Sequence, residues 1–148
     1  MIDIDAMPYI ADIPPVQAKL RPDETALWFE GKATRFAQLD TRSTQIANGL
    51  VRLGLQPGDR VGYLAKNTDA YYEILFVCAK SRTVMTGVNT RLAPPEVKFI
   101  LSDAKARVLF VGKEFYGMID QIKAELPDLI RIITLDGDRE DWDYFPSW

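Results

Sequence analysis

The strongest constraint on the fold is a repeated alternation of short apolar segments with segments of helical spacing, joined by short connections. Apolar runs predict four strands, at 61–65, 83–88, 107–111 and 130–135. Between them, helical periodicity predicts three helices, at 67–80, 94–103 and 115–126. Continuously apolar strands are typical of a parallel sheet covered on both faces. We therefore expect an α/β fold with a mainly parallel sheet and helices on both faces.

The segment that precedes these strands predicts a hairpin followed by one long helix. Two short apolar segments flank Gly31-Lys32, a pair that suits a tight turn between antiparallel strands. Helical spacing then extends over residues 36–53. Gly54 follows directly and is suited to the left-handed conformation that often ends a helix.

The amino-acid composition excludes several kinds of function. The 148 residues contain no histidine, which excludes Ser–His and Cys–His nucleophile pairs and histidine metal ligands. Lys and Arg number 18 against 21 Asp and Glu, for a net charge of −3, and the cations are scattered without a run. This pattern argues against a nucleic-acid partner.

Apolar content and cysteine usage indicate a soluble, cytoplasmic protein. The longest apolar run lies at 74–79, far short of the ~20 residues that cross a bilayer, so no transmembrane segment is expected. The acidic N-terminus, whose first cation is Lys19, does not resemble a secretory signal. Cys78 has no second cysteine to pair with, and we expect it to be buried and inert.

Familiar nucleotide and metal motifs are missing from the sequence. No two of the 9 glycines are two residues apart, which excludes the G-x-G-x-x-G fingerprint, and neither Gly-Lys pair belongs to a P-loop. Asp136, Asp138 and Glu140 imitate the start of a calcium loop. However, Asp141 and Ser147 stand where that loop needs Gly and a bidentate Glu. We therefore assign no catalytic, cofactor-binding or metal-ligating residue to this chain.

Residues 136–148 differ in composition from the rest of the chain. They hold five acidic residues against one Arg, together with four bulky aromatic residues: Trp142, Tyr144, Phe145 and Trp148. We interpret this tail as a connection between domains whose partner surface lies beyond this chain. An uncovered helix at 67–80 and an exposed aromatic tail would form an apolar patch, which predicts self-association into a homodimer. The alternative is that the tail folds back on its own sheet or is mobile.

The predicted organisation has three parts. Residues 1–20 form an N-terminal extension and first helix, residues 21–135 form an α/β subdomain, and residues 136–148 form the truncated acidic connection.

Several short motifs follow one another in a recognisable order. They are 34–39, 54–61, Asn67, 78–89 with Lys80, Asn89-Thr90-Arg91-Leu92, Glu96 and Ile100-Leu101-Ser102-Asp103. Together they resemble the N-terminal region of the AMP-forming acyl-adenylate synthetases, the superfamily of acyl-CoA synthetases, luciferases and peptide-synthetase adenylation domains. Residues 34–39 are similar to its motif L-T-Y-x-E-L, and residues 78–89 to its motif L-K-A-G-A-V-x-x-P-L-N. The sequence at 89–92 resembles the fatty acyl-CoA synthetase branch, and the resemblance covers about residues 20–135.

This resemblance implies a function for a larger parent enzyme. That enzyme would activate a carboxylic acid, in this branch a fatty acid, with Mg²⁺ and ATP to an acyl-adenylate, and pass the acyl group to coenzyme A. The family's phosphate loop, magnesium-holding Glu, ribose-binding Asp and C-terminal-domain Lys match no residue here. The resemblance therefore implies an inactive N-terminal fragment that binds none of these cofactors by itself, and whose main partner is the remainder of the synthetase. Neither the acyl chain nor the choice between coenzyme A and a carrier protein can be read from the sequence.

Two polar residues follow a predicted strand. Asn89 and Arg91 lie at the sheet edge where open α/β proteins bind ligands, although an Asn-x-Arg loop more often forms a turn with a surface ion pair. Nearby, Asn67 is expected to cap the helix at 67–80.

The sequence departs from the family pattern at several positions. Arg35 stands where a Thr usually caps the first helix, a cap worth about 1 kcal/mol unless Thr34 replaces it. Ser81 and Arg82 replace Ala-Gly, and Gly87 replaces a Pro. Lys105 stands where a Gly usually closes a helix in the left-handed conformation, a substitution that costs roughly 1 kcal/mol.

An alternative function from another class stays open. The chain could be a stand-alone, non-catalytic α/β module that serves association or regulation. A coding sequence that continues past Trp148 into a glycine-rich phosphate loop would separate the two interpretations.

Overall fold

The computed structural model describes residues 7–137 and 139–148. The chain forms two compact units that alternate along the sequence: the helical unit, Met1–Gly54 with Thr68–Arg82, and the sheet unit, Leu55–Asn67 with Thr83–Trp148. The start of the predicted N-terminal extension, at 1–6, and Asp138 of the calcium-like run lie outside the described residues. The predicted boundaries after residues 20 and 135 stay predictions.

The helical unit contains the predicted hairpin and long helix. A 3₁₀ turn at Ile10–Asp12 leads into α1, Ile13–Leu20. The strands β1, Thr25–Phe29, and β2, Lys32–Arg35, pair in antiparallel fashion around the expected turn. They are followed by α2, Phe36–Arg52, and, later in the chain, by α3, Asp69–Ser81.

The core of the helical unit forms where α2 packs against α1 and α3. The helical spacing of Leu39, Ile46 and Leu50 places them on one face of α2, and all three are buried. Ile74 and Val77 of α3 are also buried. Apolar periodicity in the sequence therefore marked the packed face correctly.

Lys80 joins α3 to α2. Its Nζ atom donates to the Asp40 carboxylate at 2.6 Å, to the Asp40 carbonyl at 3.0 Å and to the Thr44 hydroxyl at 2.8 Å. The Lys80 side chain is mostly buried, so these bonds hold a charge that has left water. The lysine of the second sequence motif thus has a structural role in helix packing.

A second ion pair links the same two helices. The Arg42 Nε atom lies 3.2 Å from a carboxylate oxygen of Glu73, and only 4% of the Glu73 side chain is exposed. Burial raises the pKa of Glu73, and the positive charge of Arg42 opposes that rise. Glu73 is therefore a buried carboxylate whose ionised form depends on its arginine.

The sheet unit is built on one parallel sheet. Its strands are β3, Arg60–Leu64; β4, Val84–Gly87; β5, Ala106–Val111; β6, Arg131–Thr134; and β7, Asp143–Tyr144. They lie in the order β4-β3-β5-β6-β7, and every adjacent pair is parallel. The helices of this unit are α4, Pro94–Asp103, and α5, Tyr116–Ile122, with 3₁₀ turns at Lys113–Phe115, Lys123–Glu125 and Phe145–Ser147. The predicted mainly parallel α/β sheet is confirmed.

The core of the sheet unit surrounds β5. Leu109 and Val111 of this strand are fully buried, because it is central in the sheet. Val97 and Leu101 of α4 belong to the same cluster, together with Ile119 of α5. The strands are continuously apolar in sequence because the sheet they form is covered by other elements.

One local prediction about a helix end is wrong. Thr68, not Asn67, precedes α3, and it is extended there with φ −136° and ψ −178°. The Asp69 carboxylate accepts a hydrogen bond from the Ala70 N–H at 3.0 Å. A side chain inside the first turn of α3 therefore provides the acceptor for this amide. Thr34 does not replace the cap of α2; Arg35 is the cap residue, and its N–H donates to the Gln38 side chain at 2.9 Å.

The expectation that the aromatic residues of the tail face a surface beyond this chain is wrong for Trp142 and Phe145. β7 pairs with β6, and Trp142 and Phe145 are buried in the sheet unit. The rings of Phe110 and Phe145 meet edge to face with centroids 5.7 Å apart. Large aromatic side chains gain more by covering an available sheet edge than by remaining in water, which the composition alone does not reveal. The expected apolar patch therefore loses the contribution of these two tail residues.

Other expectations about the chain agree with the structure. Cys78 is buried and forms no disulfide. Gly54 has φ +86° after α2, as expected for a left-handed helix end. Among the described residues, no helix combines the length and the apolar character needed to cross a membrane.

Lys105 adopts the left-handed conformation that the sequence predicted, with φ +51° after α4. Replacing it with glycine is expected to raise the free energy of unfolding by about 0.5–1 kcal/mol, because glycine has no Cβ to clash there. Lys105→Ala is the matched control, since it removes the charge and keeps the Cβ. Urea unfolding of the three proteins measures the difference, and an equal gain for Ala and Gly would contradict a backbone origin.

Candidate functional site

The strand order places a topological switch point between β3 and β5. The connection that leaves β3 leads to β4 on one side, whereas the connection that leaves β5 leads to β6 on the other. In open α/β sheets, ligands bind in the crevice outside the carboxyl ends of two such strands. The candidate site is therefore the loop pair 65–67 and 112–114, which we call the switch-point edge.

Gly112 brings the two loops of the switch-point edge into close approach. Its N–H donates to the Leu64 carbonyl at 2.9 Å. A Cβ at this position would lie 3.0 Å from the Ala65 Cβ, closer than most real contacts. A side chain at position 112 would therefore require Ala65 to shift by a few tenths of an ångström, and the loops touch at the base of the crevice.

An ion pair crosses the switch-point edge above this contact. The Lys66 Nζ atom lies 2.6 Å from a carboxylate oxygen of Glu114, and both side chains are exposed. An exposed pair of this kind is worth about 0–1 kcal/mol and is screened by salt. The lysine that follows β3 is therefore bound to the protein's own carboxylate.

The loop after β6 covers the neighbouring part of the sheet edge. The Asp136 carboxylate accepts the N–H of Lys113 at 2.9 Å, so it caps the turn that follows β5. The Tyr116 hydroxyl lies 2.6 Å from the Asp136 carbonyl and 2.8 Å from that of Gly137. Burial raises the pKa of Tyr116, which keeps its hydroxyl protonated as a donor. These hydrogen bonds hold the loops in place. The groups that form them are not arranged as a catalytic acid and base.

A cluster of charges and rings fastens the tail to α5. Arg139 bonds to Asp120 at 2.8 Å and to Asp141 at 3.0 Å, and its guanidinium lies 3.8 Å from the centroid of the Trp142 ring. The Trp142 ring meets Tyr116 edge to face at 5.2 Å. Interaction with Arg139 lowers the pKa of Asp120, so this carboxylate stays ionised at neutral pH. The cluster is a structural clasp, which we call the tail clasp.

The polar loop after β4 forms a turn. The Asn89 side chain accepts the N–H of Arg91 at 3.0 Å, and its carbonyl accepts the N–H of Leu92 at 3.3 Å. Glu96 then accepts the N–H of Ala93 at 2.8 Å at the start of α4. Asn89 therefore has the turn role that the residue pattern favoured. Direct contact of Arg91 with a substrate is the less favoured alternative, and it stays untested.

Sequence reasoning missed the interactions that organise this edge. Lys66 and Glu114 are 48 residues apart, and Lys113 and Asp136 are 23 apart. Only the order of strands in the sheet brings them together, so no local pattern could have identified them. Within residues 7–137 and 139–148, no group of three Cys, Asp or Glu side chains is arranged to hold a metal ion.

Comparison with known proteins shows the family. A family model described as AMP-binding enzyme matches residues 15–146. The fatty acid–[acyl-carrier-protein] ligase ScoC of Streptomyces coeruleorubidus is 45% identical over 113 residues, which is 76% of this chain and 22% of that protein. A feruloyl-CoA synthase of Amycolatopsis is 42% identical over 93 residues, 63% of this chain and 19% of that protein.

A solved structure shows the same fold. The anthranilate CoA ligase AuaEII in complex with anthranoyl-AMP matches with a TM-score of 0.88 and 32% identity, over 100% of this chain and 29% of that one. The chain thus spans less than a third of the length of each of these three proteins. The resemblance that the motifs indicated is confirmed: the chain belongs to the AMP-binding enzyme family.

Proposed function

We propose that this chain supplies the first part of the large domain of an AMP-forming acyl-CoA ligase. In the whole enzyme, a carboxylate oxygen would attack the α-phosphorus of ATP, and pyrophosphate would leave. The thiol of coenzyme A would then displace AMP from the acyl-adenylate. The observation that carries the proposal is the family match over 15–146, supported by 45% identity to a fatty-acid ligase.

The acid substrate is proposed to be a fatty acid. The sequence at 89–92 resembles the fatty acyl branch, and ScoC is by name a fatty-acid ligase. Other matched proteins are named for feruloyl and anthranilate groups, so the family accommodates chemically different acids. Coenzyme A is proposed as the acceptor because two of the three proteins described above are named as CoA ligases or synthases. The third, ScoC, is named for an acyl carrier protein.

The residues of this chain are proposed to position the catalytic parts without taking part in the chemistry. Stabilising the pyrophosphate that leaves requires backbone amides, a lysine or Mg²⁺ aimed at the developing charge. At the switch-point edge, Lys66 is paired with Glu114, and the N–H of Lys113 is bonded to Asp136. The family's magnesium-holding Glu matches no residue of this chain, and we therefore assign the chain no step that uses Mg²⁺.

The alternative of a non-catalytic association module has less support. The matched relatives named above are ligases or synthases, and no comparison favours a binding module. Self-association into a homodimer and a cytoplasmic location stay predictions from composition. We also expect ATP to bind no tighter than millimolar, because the sequence has neither a glycine-rich phosphate loop nor an acidic residue matched to the ribose.

The isolated 148-residue chain is expected to show no fatty-acid-dependent exchange of pyrophosphate into ATP. The physical reason is that the family's phosphate loop matches no residue of this chain, so the amides that would offset the charge on the leaving pyrophosphate are missing. Such a contribution can change rates by about 10²–10³-fold for a single donor. Exchange is measured with radiolabelled pyrophosphate, with purified ScoC as the positive control. Exchange above background by the isolated chain, at a rate proportional to its concentration, would show that it carries its own adenylating site.

A further inference from the structure

We draw no further inference here: the strongest candidate, the exposed apolar groove of about 400 Å³ formed by Leu92, Pro95, Glu96, Phe99 and Ile100 at the start of α4, carries nothing because no feature of the structure shows what covers it.

Discussion

Replacing Trp142 with alanine is expected to lower the free energy of unfolding of the sheet unit by about 3–5 kcal/mol, the usual cost of removing a buried aromatic side chain. Only 9% of Trp142 is exposed, and it packs with the apolar cluster around β5. Its loss would also remove the ring on which Arg139 and Tyr116 rest in the tail clasp. Hydrogen exchange of the β5 and β6 amides measures the effect within this unit.

Trp28→Ala is the matched control for this substitution. It removes the same side chain from β1, where 69% of it is exposed, so we expect a change within about 1 kcal/mol. A second variant, Arg139→Met, keeps the tryptophan and removes the cation, and we expect it to cost less than Trp142→Ala. If Trp142→Ala costs no more than Trp28→Ala, the tail does not pack against the sheet as described.

Replacing Arg42 with alanine is expected to destabilise the helical unit by about 2–3 kcal/mol at pH 7. The change leaves the Glu73 carboxylate buried without its arginine, and breaking a fully buried pair costs about 3–5 kcal/mol. The expected value is lower because 34% of the Arg42 side chain remains exposed to water. Lys32 is close enough to Glu73 to offset part of the loss, whereas Asp69 opposes it.

The direction of the pH dependence follows from the raised pKa of Glu73. A carboxyl whose pKa is higher in the folded state adds stability below its unfolded pKa, and that stability is lost as pH rises through the folded pKa. Removing Arg42 raises this pKa further, so the loss in Arg42→Ala should be smaller at pH 4 than at pH 7. Urea unfolding of wild type and variant at both pH values measures it.

A double variant separates the buried charge from lost packing. Arg42→Ala with Glu73→Gln should recover most of the stability at pH 7, because the amide carries no charge to be buried. A loss in Arg42→Ala that is the same at both pH values, and is not recovered by Glu73→Gln, would mean that packing alone explains it.

Periodicity predicted most of the elements because each depends on neighbouring residues. The helix expected at 94–103 is α4, Pro94–Asp103, since proline begins it and the left-handed Lys105 follows its end. The alternation of apolar and helical segments likewise predicted the strands of the parallel sheet to within one or two residues, apart from the short β7.

Apart from the cap of α3, the error and the missed contacts fall where distant residues decide the outcome. The tail carries no strong strand pattern, and β7 contains only Asp143 and Tyr144. It pairs with β6 because Trp142 and Phe145 are buried within the sheet unit and Arg139 forms an ion pair with Asp120. The Lys66–Glu114 pair at the switch-point edge depends in the same way on β3 lying beside β5.

The central claim is that this chain can serve as the first part of an AMP-forming ligase. The most direct measurement is fatty-acid-dependent pyrophosphate exchange by a chimera in which this chain replaces the matching segment of ScoC. We predict exchange at no less than about one-hundredth of the rate of intact ScoC, since a misplacement of about 1 Å at a joined surface can cost 10²-fold. A chimera that melts cooperatively and shows no exchange above background would contradict the claim.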